Sequence, residues 1–233
     1  MKPISFWRRL LDLISPRLCV VCGQRLTVSE EIICSRCNLH LPRTDFHRNP
    51  YENEMAKLFW HQLPIERATA LFYYEAHSET ANILYELKYK GHLEIGEIMG
   101  RLMAKELQPS GFFDGIDAIV PVPLAKKRQR QRGYNQSLEI ACGISEITSL
   151  PIYNKVVGRN AFEGSQTHKG RWERNENVEG VFELKDPATI QDKHLLILDD
   201  VVTTGATVIA CAKELCKAGH VKVSVLALGF AKS

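Results

Sequence analysis

The sequence predicts an α/β protein, a parallel sheet flanked by helices, with a small N-terminal four-cysteine zinc ribbon. Three observations predict it. Two strand candidates, residues 116–120 and the unbroken apolar run 195–198, are too short for buried helices and suit strands covered on both faces. The second run leads through a small polar turn into Val208, Ile209, Ala212, Leu215 and Cys216 at helical spacing, with Gly219 as a stop. Finally, Cys19-Val-Val-Cys22 and Cys34-Ser-Arg-Cys37 stand eleven residues apart, two pairs able to place four thiolates about one tetrahedral zinc.

A chain of 233 residues accommodates one sizeable domain and a small one. The division expected is 1–50 for an N-terminal helix and the ribbon and 51–233 for the α/β domain, with 51–110 as an accessory hood and 111–233 as the core. Hydrophobic residues make up 45% and charged residues 24%, ordinary for a globular protein. A net charge of +3 gives no global nucleic-acid signal, so any such signal must be local. Seven cysteines is an odd number, and four fall within 19 residues, which argues against a secreted disulfide framework. The other three, Cys142, Cys211 and Cys216, read as small apolar groups rather than ligands. No apolar run is long enough to span a membrane, and Arg8, Arg9 and Asp12 interrupt the start, so neither a transmembrane segment nor a signal peptide is expected. The expectation is a cytoplasmic protein.

Ile4, Phe6, Trp7, Leu10, Leu11 and Ile14 form an apolar stripe at helical spacing that stops at Pro16. It reads as a short helix docked on the body of the protein, or as a partner-binding amphipathic helix. The ribbon follows. A module of that size cannot fold on apolar burial alone, so the metal would supply its stability. Residues 41–64 read as a linker and then a short helix around Met55, Leu58, Phe59 and Trp60. Residues 68–74 are strand-like, and 79–89 and 95–107 are two amphipathic helices split at Gly91, with Lys88-Tyr89-Lys90 at the junction.

After the strand at 116–120, Lys126, Lys127, Arg128, Arg130 and Arg132 put five cations into seven residues, read here as a basic loop. Gly133-Tyr-Asn-Gln136 then opens a helix to about residue 147. A charge run is ordinarily a solvated face. Placed at the carboxyl end of a strand it suits pyrophosphate or nucleic-acid phosphate, since guanidinium groups bind such oxygens in bidentate fashion. Residues 152–157 and 178–184 read as strands, and between them 158–177 is a long polar loop. Arg159, Gln166, Thr167, Lys169, Arg171, Arg174 and Asn177 give that loop donors for an anionic ligand. Residues 185–193 read as a turn and 221–228 as the last strand.

The strand at 195–200 ends in Asp199 and Asp200. The turn after it has the parts of a phosphate cradle. Gly205 lets backbone approach a ligand. The amides of residues 203–207, with the hydroxyls of Thr203, Thr204 and Thr207, can donate to phosphate at the start of a helix. Two carboxylates would repel a phosphate in direct contact. They make sense if the ligand carries hydroxyls a few ångströms from its phosphate, as ribose 5-phosphate does.

This stretch resembles the phosphoribosyl pyrophosphate (PRPP) signature of type I phosphoribosyltransferases: four apolar residues, Asp or Glu, Asp, three variable positions, Thr, Gly, any residue, Thr. Every position from Leu195 to Thr207 complies. Together with the four-cysteine ribbon, Val120-Pro-Val-Pro-Leu followed by Arg132-Gly-Tyr-Asn-Gln136, and Gln166-Thr with Arg171, Arg174-Asn, Asn177-Val and Phe182, the chain from about residue 17 to its end is similar to the ComF family of phosphoribosyltransferase-like competence proteins. Lys88, in its Leu-Lys-Tyr context, also matches.

The resemblance implies a type I phosphoribosyltransferase core carrying a zinc ribbon, and a role in bringing transforming DNA into the cytoplasm. It implies PRPP bound with magnesium. Asp199, Asp200, Thr203, Thr204, Gly205, Ala206 and Thr207 would hold the ribose and its phosphate. Lys126, Lys127, Arg128, Arg132 and Gly133 would contact pyrophosphate. Gln166, Thr167, Arg171 and Arg174 would close from the long loop, and Cys19, Cys22, Cys34 and Cys37 would hold structural Zn²⁺. No residue stands out as a general base, and the acceptor is open. The rival reading is a non-catalytic scaffold binding single-stranded DNA, with Tyr134, Phe162 and Trp172 as stacking aromatics among the cations, working with the DNA-uptake machinery. A third is a PRPP-sensing regulator.

Overall fold

The computed structural model describes residues 16–160 and 180–231. The N-terminal apolar stripe and the long-loop residues Phe162, Gln166, Thr167, Lys169, Arg171, Trp172, Arg174 and Asn177 lie outside them. In chain order the strands are β1 (Arg67–Tyr74), β2 (Ala118–Pro121), β3 (Val157–Arg159), β4 (Phe182–Leu184), β5 (His194–Val202) and β6 (Lys222–Ala231). The helices are α1 (Ser35–Leu39), α2 (Glu54–Lys57), α3 (Ala81–Tyr89), α4 (Leu93–Leu107), α5 (Lys126–Arg132), α6 (Gln136–Thr148), α7 (Pro187–Ile190) and α8 (Ala206–Cys216).

Four strands form one sheet in the order β1-β6-β5-β2, every pair parallel. Ile152 adds a parallel bridge to Ile119 at the open side of β2. The strand expected over 152–157 is therefore one bridge residue followed by β3, which pairs antiparallel with β4 away from the sheet.

The unbroken apolar run of β5 follows from burial on both faces. Leu196 and Leu198 join Ile119, Leu226 and Leu228 in the cluster that holds Ile83, Leu87, Met99, Met103, Ile140 and Ile144 of α3, α4 and α6. Leu195 and Ile197 join Val120, Val223 and Val225 in the cluster with Val208, Ala212 and Leu215 of α8. With side chains alternating and helices on both sides, neither face can be polar.

Other segments differ from the sequence expectation. The short helix expected around Met55 is α2, with Met55, Ala56 and Phe59 fully buried, but the stretch before it is not only a linker: Phe46 is buried and packs edge-on to Phe230 with ring centroids 5.5 Å apart. The basic stretch is a helix, α5, not a loop. Lys, Arg and Gln are good helix formers, and Gly133 stops them at φ +82°. The helix expected to open at Gly133 begins instead at Gln136, with the Asn135 side chain accepting from the Ser137 amide as N-cap.

α4 and α6 pack backbone to backbone. A Cβ on Gly143 would lie 1.9 Å from the Glu97 carbonyl oxygen, and one on Gly100 would lie 2.1 Å from that of Ile140. This packing fixes the N-terminus of α6 relative to α3, which precedes α4, and both face the carboxyl edge of the sheet.

Candidate functional site

The first site is the cysteine cluster. The four sulfurs of Cys19, Cys22, Cys34 and Cys37 lie within 4.8 Å of one another. The Cys22–Cys34 separation is 3.9 Å. A tetrahedron with zinc–sulfur bonds of about 2.3 Å has edges of about 3.8 Å, so the residues fit that ion. The local sequence explains the geometry. The chain turns at Gly23 (φ +70°), whose amide donates to the Cys19 carbonyl at 2.8 Å. The Cys34 amide donates to Cys19 Sγ at 3.3 Å, and Cys37's amide donates to Cys34 Sγ at 3.4 Å. Burial pushes the Cys19 thiol up, but amide donors from Cys22, Cys34 and Val21 outweigh it and hold it to about 7. Glu30 braces the turn, its carboxylate accepting from the Thr27 amide and from the Ser35 amide and hydroxyl. Cys142, Cys211 and Cys216 stand apart from the cluster, and Cys211 is fully buried on α8.

The second site lies at the carboxyl edge of the sheet. β5 carries Asp199 and Asp200 to its end, and the chain then turns through exposed Thr203 and Thr204 into Gly205. Gly205 sits at φ +76° as the N-cap of α8, where a Cβ would approach Phe59 to 3.2 Å. The fold thus requires glycine here from both backbone and packing. Ala206 and Thr207 open α8, whose first-turn amides have no intrahelical partner.

Three other elements reach the carboxylates. Lys88 of α3 places its Nζ 3.3 Å from Asp200 Oδ2. Ser137 of α6 donates its hydroxyl to Asp199 Oδ1 at 3.3 Å, and the Asp200 amide donates to the same oxygen at 2.8 Å. Burial, and then the Asp200 charge, push the Asp199 carboxyl up to about 7 against these partners. Arg159, at the end of β3, lies over the Phe182 ring at 5.3 Å and is electrostatically coupled to Asp199 and Arg128.

Beside the carboxylates runs a cleft of about 680 Å³ lined by Lys88, Tyr89, Lys90, Gly91, Arg128, Gln131 and Arg132. Arg132 lies over the Tyr89 ring at 5.3 Å and donates to Gln136 Oε1 at 2.8 Å. Of the basic group expected from sequence, the structure brings Arg128 and Arg132 to the cleft. Lys126 and Lys127 are exposed on α5 and do not line it, and Gly133 is the exposed residue that ends this helix.

Tyr134 is not a stacking surface. It is buried, with its hydroxyl donating to the Leu87 carbonyl near the end of α3. The exposed aromatics here are instead Tyr85 and Tyr89, which the sequence reading did not single out for this role. Their i, i+4 spacing on a helix next to Lys88 was the available signal. Nothing in sequence pointed to Ser137, since its contact depends on how α6 docks.

No family model matches the chain. Among curated proteins, it is 28% identical to the DNA utilization protein YhgH of Escherichia coli (strain K12) over 214 residues, 91% of this chain and 89% of that protein. It is 27% identical to Competence protein F of Haemophilus influenzae over 63% of this chain and 65% of that protein. To Competence protein ComFC of Bacillus subtilis it is 31% identical over 43% of this chain and 39% of that protein.

Proposed function

This chain belongs to the ComF family, and on that footing we propose that it is a phosphoribosyltransferase-like protein that binds PRPP with magnesium and serves natural competence and the uptake of transforming DNA. The observation that carries this reading is Asp199-Asp200 in the last half of a central parallel strand, whose end at Val202 leads through Thr203 and Thr204 into the glycine turn that opens a helix. Ligands of open α/β sheets bind at that edge.

The roles follow from chemistry. Asp199 and Asp200 accept hydrogen bonds from the ribose 2′ and 3′ hydroxyls. The amides and hydroxyls of residues 203–207 hold the 5-phosphate. Arg128 and Arg132, with Lys126 and Lys127 exposed on the same helix, hold the pyrophosphate; the Gly133 amide, expected there from sequence, donates instead to the Gln129 carbonyl at 2.8 Å. Gln166, Thr167, Arg171 and Arg174, which lie outside the described residues, would add donors for the same anionic ligand. Magnesium is commonly held by one or two carboxylates together with substrate phosphates and water; Asp199 and Asp200 would hold it here, and it would supply charge neutralisation for the leaving pyrophosphate. Lys88 pairs with Asp200 at 3.3 Å and lines the cleft, within reach of a pyrophosphate oxygen there. In the ribbon, Zn²⁺ on the four cysteines is structural.

Calorimetric titration of PRPP with magnesium tests the reading. The double variant Asp199→Asn, Asp200→Asn loses two charge-assisted hydrogen bonds of roughly 1.5–3 kcal/mol each, weakening binding by about two to four powers of ten. Thr204→Val weakens ribose 5-phosphate as well as PRPP. A wild type that ignores PRPP, or a double variant that binds it equally well, overturns the assignment.

The relatives' names, a DNA utilization protein and competence proteins, support a second reading, in which the chain is a DNA-binding scaffold on the same fold and the DNA is single-stranded. The exposed cations of α5 suit phosphate contact. Binding by that surface is independent of sequence and falls steeply with salt. An oligonucleotide affinity that is flat across a salt series, or unchanged when Lys126, Lys127 and Arg130 become alanine, removes α5 as the contact.

A further inference from the structure

We propose that Gln136 is a positioning residue for the pyrophosphate: it fixes the Arg132 guanidinium in the cleft with a neutral acceptor, so that the cation meets its ligand already ordered and with its charge uncancelled. This rests on the reading of the cleft cations as pyrophosphate ligands. Three observations carry it. Gln136 is fully buried at the first position of α6 and is not among the residues that line the cleft. Its Oε1 accepts from the Arg132 guanidinium at 2.8 Å, while Arg132, which does line the cleft, lies over the Tyr89 ring at 5.3 Å. Its Nε2 is buried without a hydrogen-bond partner among the described residues.

The Gln136 amide can face Arg132 in one way only. A guanidinium donates and never accepts, so the amide oxygen turns to it and the amide nitrogen turns away. That leaves a buried donor unpaired, and buried donors without acceptors destabilise a fold. An apolar side chain of the same length would avoid the penalty, so a polar one here points to a task. The helix start does not need it: Asn135 caps α6 and donates to the Val122 carbonyl, and Ser137 reaches Asp199. What Gln136 holds is an arginine whose long side chain would otherwise lose its rotational freedom when a ligand arrives. A carboxylate in its place would hold the guanidinium more tightly and cancel its charge. An amide oxygen and a tyrosine ring order it and leave that charge for the ligand. Lys88, in the same cleft, is by contrast paired with a carboxylate, that of Asp200.

The test is calorimetric titration of the full-length protein with PRPP and magnesium, and with ribose 5-phosphate as the ligand that lacks a pyrophosphate. Gln136→Met keeps the length of the side chain and removes both the acceptor and the unpaired donor. It is expected to melt at or above the wild-type temperature, yet to bind PRPP roughly five- to fiftyfold more weakly, with ribose 5-phosphate within about twofold of wild type. Gln136→Glu, which cancels the charge of Arg132, is expected to weaken PRPP in the same selective way. Arg132→Met is expected to weaken PRPP in the wild-type background and to add little in the Gln136→Met background, because the two residues act as one unit. The assignment is overturned if Gln136→Met or Gln136→Glu binds PRPP as tightly as wild type does, or if the losses from Gln136→Met and Arg132→Met simply add. It also falls if Gln136→Met melts lower and loses both ligands together, which makes Gln136 structural. A wild type that binds ribose 5-phosphate and PRPP equally well removes the pyrophosphate role of the cleft and this assignment with it, and one that binds neither removes the ribose site as well.

Discussion

Asp199 shows most directly how opposing influences meet at the end of β5. Burial and the neighbouring Asp200 charge raise its carboxyl to about 7, while the Asp200 amide, Lys88 and the Ser137 hydroxyl pull the other way. A folded-state value raised above the unfolded one means the carboxyl's contribution to stability is complete below about pH 4 and is lost as pH rises through about 7. Asp199→Asn has no such loss. In melting experiments at pH 4, 5.5 and 8, the advantage of Asp199→Asn over wild type should widen from near zero to ~1–3 kcal/mol and then level off. An advantage constant with pH would mean that the carboxyl titrates in its ordinary range. The pair of carboxylates was plain in the sequence; the raised Asp199 carboxyl was not, because it comes from burial at the sheet edge, opposed by Lys88 and Ser137 arriving from two distant helices.

At the scale of elements, the α4–α6 contact decides where those helices stop. Gly96, Gly100 and Gly143 leave room for no side chain, and at Gly143 the obstacle is the backbone of Glu97 rather than a side chain that could swing aside. Gly143→Ala is therefore expected to lower stability by ~1–3 kcal/mol or more through over-packing, read as a lower urea midpoint. It should also weaken PRPP binding, because Ser137 rides on the same helix. A variant with the wild-type midpoint would mean the two helices can separate at no cost. The amphipathic pattern of both helices was legible, but the role of their glycines was not, since a glycine in a helix reads only as a weak spot until its neighbour is known. The basic stretch went the other way: its composition favoured a helix, and its charge drew the reading towards a loop.

In the whole molecule the ribbon is built into the main core. Cys19, Val21, Leu26, Ile32 and Leu41 share one cluster with Leu71, Phe72, Ile83 and Leu87. Arg101 of α4 joins Glu31 of the ribbon to Glu146 of α6 at 3.3 and 3.1 Å, and Arg43 pairs with Glu106 at 2.9 Å. Elemental analysis should find about one zinc per chain, lowered by Cys34→Ser and unchanged by serine at Cys142, Cys211 or Cys216. Chelation should lower the melting temperature of the protein in a single transition, because losing the ion loosens a wall of the shared core. A metal-free wild type that melts unchanged would remove the ribbon assignment. Among the described residues no helix is long and apolar enough to cross a membrane.

The sequence by itself determined what depends on neighbours along the chain. Four apolar residues, two aspartates and a threonine-glycine turn specify a buried strand, an acidic tip and a helix start, and two Cys-x-x-Cys pairs specify a metal-sized cluster. These are local because backbone geometry and ligand spacing act over a few residues. Only the tertiary structure decided what meets across the sheet: Lys88 on Asp200, Ser137 on Asp199, Arg132 over Tyr89, Tyr134 turned inward to Leu87, and Phe46 packed against Phe230. Those contacts join residues tens of positions apart. They are set by the close approach of α4 and α6 and by the burial of both sheet faces, which no short stretch of the chain encodes alone.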